Sequence, residues 1–142
     1  MQQLGTFIIN HWELFLALAI ILALLAGSGL SQKVLGFKEL QPAQATQMIN
    51  REKAVVLDVR EEQEFKQGHI VNAINVPLSE LEARLKSLEK FRGRPIITTC
   101  QTGDRSARAS AILQKQGFSP VFKIAGGLVA WRGAKYPLSI SK

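Results

Sequence analysis

From Ile96 to Arg108 the chain reads IITTCQTGDRSAR, and the residue types best suited to chemistry stand together there. Cys100 follows a β-rich apolar run, Gly103 and Arg105 come within the next five residues, and a helical pattern begins at about Ser106. A loop this short must curl tightly between strand and helix, and Gly103 permits the backbone angles that the curl needs. Its N–H groups then converge on one point, beside the orphan donors of the helix N-terminus, and make an anion nest. A thiol held over such a nest is favoured as thiolate, the nucleophilic form; a free thiol titrates near ~8.5 and a helix N-terminus lowers that value. A single cysteine taken alone is a small buried hydrophobe. The spacing of Cys100, Gly103, Arg105 and the helix start marks this one as reactive. Arg105 can add positive charge or brace the loop carbonyls. The hydroxyls of Thr102 and Ser106 can line the nest or cap the helix. Gln101 and Asp104 complete the loop.

The elements that carry this loop read as alternating strands and helices. Pro42 suits the first turn of a helix whose apolar stripe is Ala45, Met48 and Ile49. Residues 54–57 are a continuous apolar run, as expected of a strand buried on both faces, and they end in Asp58-Val59-Arg60. A short acidic helix follows, stopped by Gly68. Residues 74–76 form a brief strand ended by Pro77. Ser79, with Glu82 three residues on, predicts a capping box at the start of a helix lined by Leu81, Leu85 and Leu88. Residues 96–99 form the strand before the loop, residues 106–116 a helix ended by Gly117, and residues 121–124 a last strand. Gly126-Gly127 opens a short helix containing Trp131. Such alternation predicts an α/β fold with a parallel sheet covered on both faces. Ligands of these sheets bind beyond the carboxyl ends of the strands, after residues 57 and 99 here.

The 142 residues allow one such domain and a short appendage. One cysteine excludes an intramolecular disulfide, and two scattered histidines offer no zinc spacing, so neither metal nor cofactor is expected. All 18 Lys and Arg residues lie from Lys33 onward. Against 10 acidic residues beyond Glu13 they give that part a balance of +8, within a total of +7. Residues 14–30, LFLALAIILALLAGSGL, carry no charge. They predict a transmembrane helix at the short end of the usual range, with Trp12 at one interface. A cleaved signal peptide fits less well, because no basic segment precedes the run. Lys33 and Lys38 follow it, so the positive-inside rule puts the N-terminus outside and the rest in the cytoplasm. The expected organisation is an anchor over 1–32, a connector over 33–41 and a domain over 42–142. The basic residues are scattered and lack aromatic stacking partners, so a face near anionic lipid explains them better than nucleic acid does.

Three segments together resemble the single-domain rhodaneses, a sulfurtransferase family. Asp58-Val59-Arg60, Glu64-Phe65-x-x-Gly68-His69-Ile70 and Ala73-Ile74-Asn75-Val76-Pro77 form the first, residues 100–106 the second, and Ala125-Gly126-Gly127-x-x-Ala130-Trp131 the third. With the N-terminal run, the whole is similar to bacterial inner-membrane rhodanese-like proteins. The resemblance implies a rhodanese-like sheet flanked by helices and a persulfide carried on Cys100. It implies N–H groups of residues 101–105 holding the sulfur anion. It also implies a supporting role for Asp58 and Arg60, tying a neighbouring strand end to the loop, a turn-holding role for His69, and core and turn roles for Trp131 and Gly126-Gly127. The implied partners are a sulfur donor (persulfide or thiosulfate), a thiol acceptor, membrane lipid around residues 14–30, and a membrane or peripheral protein. Cell-cycle-type phosphatases share the architecture with five residues between Cys and Arg. Here four intervene, and the resemblance implies that the smaller cradle suits a sulfur atom. An adaptor that only holds a partner at the membrane is the competing function; a loop that keeps Cys100, Gly103 and Arg105 favours the enzyme.

Overall fold

The computed structural model describes residues 2–34 and 37–141. The chain divides into two units, Met1–Leu35 and Gly36–Lys142. The first holds helices α1 (Gln2–Asn10) and α2 (Trp12–Val34). Large apolar side chains are exposed along both, among them Phe7, Ile9, Trp12, Leu18, Ile21 and Leu24. The expected transmembrane helix is not met here: among the described residues no helix is long and apolar enough to cross a membrane. In α2 the side chains are described only as far as Ala26. The uncharged stretch 14–26 spans about 20 Å at ~1.5 Å per residue, against about 30 Å of hydrocarbon. The remainder of the expected span lies outside the described side chains.

The second unit is built on a five-stranded sheet of order β1-β6-β5-β2-β4, parallel throughout. Its strands are β1 (Lys38–Leu40), β2 (Val55–Asp58), β4 (Ile74–Asn75), β5 (Ile96–Thr99) and β6 (Val121–Ile124). A two-stranded antiparallel ribbon, β3 (His69–Ile70) with β7 (Leu138–Ser139), stands apart. The helices are α3 (Pro42–Glu52), α4 (Glu62–Gln67), α5 (Leu85–Leu88), α6 (Asp104–Lys115) and α7 (Gly127–Gly133).

Period-two alternation divides the strand side chains between two cores. Leu57, Ile96 and Val121 pack with Leu88 of α5 and with Ala109 and Leu113 of α6. Val56, Ile97 and Ile124 pack on the other face with Ala45 of α3 and with Leu128 and Trp131 of α7. Each fully buried aliphatic side chain stabilises by roughly 1.5–3 kcal/mol. The two faces together hold β5 at the centre of the sheet.

The structure departs from the expected elements in four places. Residues 33–41 are more than a connector, because β1 lies within them and pairs with β6, and Phe37 enters the core. The ribbon strands β3 and β7 were too short to show a period. No helix starts at Ser79. A 3-10 turn, Leu78–Glu80, takes its place, and α5 begins only at Leu85. The N–H of Leu78 donates to the Val59 carbonyl at 3.1 Å, which ties the chain to the end of β2 and delays helix formation. Leu81 and Leu88 are buried nonetheless. Lastly, α6 starts at Asp104, two residues early, because Gly103 at φ +120° serves as its N-cap.

Candidate active site

Cys100 sits directly beyond the carboxyl end of β5, and its side chain is 1% exposed. The N–H of Gly103 donates to Cys100 Sγ at 3.1 Å and the N–H of Ser106 at 3.3 Å. The thiol in turn donates to Ser106 Oγ at 3.5 Å, and that hydroxyl donates to the Gly103 carbonyl at 2.9 Å. Burial pushes the Cys100 thiol up. The Ser106 hydroxyl and the N–H groups of Ser106, Gly103 and Thr102 outweigh it, and the thiol lies below its ordinary value. Of the expected donors over residues 101–105, Gly103 bonds to the sulfur, and Ser106, outside that set, supplies the second backbone bond.

What curls the loop is the start of α7. The N–H of Leu128 donates to the Cys100 carbonyl at 2.9 Å and that of Val129 to the Gln101 carbonyl at 3.1 Å. These two bonds draw the carbonyls to the outside of the curl and leave the N–H groups inside. They require close approach. A Cβ on Gly127 would stand 2.4 Å from the Cys100 carbonyl oxygen and 2.8 Å from the Gln101 carbonyl oxygen. Beneath the loop, Thr98 on β5 bonds to the Ser110 hydroxyl at 2.7 Å and donates to the Ser106 carbonyl at 3.1 Å. That buried polar pair fixes α6 on the strand.

Arg105 is turned away from the loop carbonyls. Its two terminal nitrogens donate to the two carboxylate oxygens of Glu64 on α4, at 2.7 and 2.8 Å. The guanidinium beside it holds the Glu64 carboxyl down at about 2. Asp104 opens α6 and is exposed; Gln101 is half-buried and Thr102 exposed. Lys123 on β6 donates to the Gly103 carbonyl at 3.4 Å and pairs with Glu39 at 3.3 Å.

Asp58 and Arg60 are buried and bound to one another, at 2.8 Å between Arg60 Nη2 and Asp58 Oδ2. They do not reach the cysteine loop. Arg60 donates instead to the Gly68 carbonyl at 2.7 Å, at the end of α4. The β2 end meets the loop strand through backbone, the N–H of Val59 donating to the Thr99 carbonyl at 3.0 Å. The buried pair therefore acts one step removed, by seating the helix from which Glu64 reaches Arg105. His69 does hold a turn, its Nδ1 lying 2.8 Å from the Phe65 carbonyl. Trp131 lies in the core. Sequence reasoning assigned no site role to Glu64, Lys123 or Gly127. Glu64 stood in the quoted signature, but nothing in the sequence pairs it with a residue 41 positions away. Among the described residues no three His, Cys, Asp or Glu side chains gather as a metal site.

Comparison with known proteins bears on the family and the fold. Residues 41–134 match the family model described as rhodanese-like domain. The chain is 34% identical over 142 residues to the uncharacterized protein YibN of Escherichia coli (strain K12), covering 97% of each. It is 36% identical over 101 residues to the thiosulfate sulfurtransferase GlpE of Pseudomonas putida (strain ATCC 700007), covering 71% of this chain and 89% of that one. The crystal structure of a rhodanese-related protein from Thermoplasma volcanium superposes with a TM-score of 0.67 at 33% identity, covering 74% of this chain and 100% of the other.

Proposed function

The chain belongs to the rhodanese-like domain family, and from that membership we propose that it is a sulfurtransferase carrying sulfane sulfur as a persulfide on Cys100. The observation that supports this most is the pair of backbone donors, Gly103 and Ser106, aimed at Cys100 Sγ from 3.1 and 3.3 Å. Donors fixed where negative sulfur develops cost no reorganisation during reaction. The Cys100 thiolate attacks the outer sulfur of the donor. A new S–S bond forms, the donor's S–S bond breaks, and the leaving thiolate or sulfite takes the electron pair. An acceptor thiolate then attacks the outer sulfur of the Cys100 persulfide, and the Cys100 thiolate leaves. The cycle has no net redox change and uses no cofactor. A partner-holding role without turnover would leave these converging donors without a purpose.

The test is intact mass of the purified full chain after exposure to a sulfane donor. Wild type should gain one sulfur atom, lost again on adding dithiothreitol, and Cys100→Ser should gain none. Loading that persists in Cys100→Ser would remove Cys100 from the mechanism.

The N-terminal unit supports a lipid tether in the same reading. Its exposed apolar side chains, such as Leu18 at 52% and Leu24 at 69%, need an apolar surrounding. Basic residues only on the domain side favour a bacterial inner membrane with the domain on the cytoplasmic face.

A further inference from the structure

The sulfur chemistry proposed above leaves the donor open, and the charges around the loop bear on it. Arg105 is the cation nearest the loop in sequence, and Glu64 occupies both of its terminal nitrogens, at 2.7 and 2.8 Å. Glu64 is itself fixed. Its Oε2 accepts the Glu61 N–H at 3.0 Å, and α4 is seated by the bond from Arg60 to the Gly68 carbonyl. Such a bidentate pair on anchored backbone is far better ordered than a typical surface pair. The second cation at the loop, Lys123, pairs with Glu39 on β1. Asp104 adds a carboxylate at the first position of α6, and Arg108 lies exposed one turn further on. Arg105 and Lys123, the two cations at the loop, are thus each paired with a carboxylate from another element, so neither charge stands uncompensated.

We propose that Glu64 sets the donor preference of this site: by cancelling the charge of Arg105 it favours a neutral or singly charged persulfide over the doubly charged thiosulfate. The inference rests on the sulfur-transfer reading. With thiosulfate, the Cys100 thiolate must approach a dianion. Sulfite then leaves as a dianion with the bonding pair. With a small persulfide the incoming group carries at most one charge, and a single thiolate leaves. The backbone cradle stabilises the sulfur on Cys100 equally in both cases. Only the cost of bringing the donor in differs, and that cost depends on the charge around the loop. Glu64 is thus a positioning residue that acts through Arg105.

The experiment compares single-turnover loading of Cys100 in the full chain, read by intact mass, from thiosulfate and from cysteine persulfide, whose ammonium offsets its carboxylate and leaves it singly charged. Wild type should load faster from the persulfide. Glu64→Gln should speed loading from thiosulfate by about tenfold, since one freed charge near a protein surface acts with an effect of that order. Loading from the persulfide should stay within about twofold, and Glu64→Asp should keep the wild-type preference. Asp104→Asn, at an exposed position that folding tolerates, should shift the preference in the same direction and carries the test if Glu64→Gln does not fold. Equal loading of wild type from both donors would overturn the proposal. So would a Glu64→Gln or Asp104→Asn variant in which the two rates change in proportion. If neither donor loads Cys100 in any variant, the sulfur-transfer reading itself fails.

Discussion

Two opposed effects meet at Cys100. Burial favours the neutral thiol, whereas the Ser106 hydroxyl and three backbone N–H groups favour the thiolate, and the latter prevail. Ser106 has a particular part in this. In the neutral state its hydroxyl proton serves the Gly103 carbonyl. Ionisation lets that proton turn toward Sγ, and Lys123 and the helix N–H of Ala107 remain on the carbonyl. Ser106→Ala should therefore raise the midpoint of the pH profile for alkylation of Cys100 and slow alkylation at neutral pH. An unmoved profile would show that the hydroxyl has no hold on the sulfur. The sign for stability follows from linkage. A thiol lowered in the folded state adds stability above the unfolded thiol's value, and that stability is lost as pH falls through the lowered one. Glu64 behaves likewise at the acid end. Its carboxyl, held at about 2, keeps Arg105 paired above the ordinary carboxylate range, and the pair is lost as pH falls toward that value.

The loop's shape is a property of the packing between two elements. α7 grips the Cys100 and Gln101 carbonyls through its first N–H groups, and the grip depends on Gly127, at φ +56°. An added methyl there would meet backbone, which cannot swing aside as a side chain can. Gly127→Ala should destabilise the fold by about 2 kcal/mol or more. Since a displacement of about 1 Å in a reacting atom costs on the order of a hundredfold, sulfur loading should fall by about that much. Gly133, at the other end of the same helix, has open space where a Cβ would stand, and Gly133→Ala should change neither quantity appreciably. Urea unfolding followed by the mass-loading assay separates the two variants. Wild-type loading in Gly127→Ala would show that the grip does not set the loop.

At the scale of the whole molecule, the proposed function assigns the tether to the first unit and the chemistry to the second. The helices of the first expose apolar side chains along their length, whereas the second buries most of its own in two cores. Full chain should float with lipid vesicles, and Leu18→Lys should weaken that association, because a buried Lys costs about 2.5–3.5 kcal/mol at a helix centre in lipid. Sulfur loading of the variant in detergent should stay at the wild-type level. Equal flotation of wild type and Leu18→Lys would count against the tether. Loss of loading in the variant would show that the two units are coupled.

By itself the amino-acid order determined what depends on neighbours along the chain. The apolar run at 54–57 and the β-branched run at 96–99 made buried strands, and Pro42 placed a helix start. Cys100, Gly103 and the helix after them made a nest, because that loop closes within a few residues of itself. The short strands β1, β3 and β7 escaped notice, for a stretch of two or three residues shows no period and gains its hydrogen bonds only from a distant partner. Tertiary structure alone decided where the charges went. Arg105 could have braced its own loop, yet Glu64 on α4 offers two carboxylate oxygens at bonding distance, and a bidentate pair outcompetes neutral carbonyls. Asp58 and Arg60 took one another and Gly68 in the same way, because a buried charge must find its partner wherever the fold brings one.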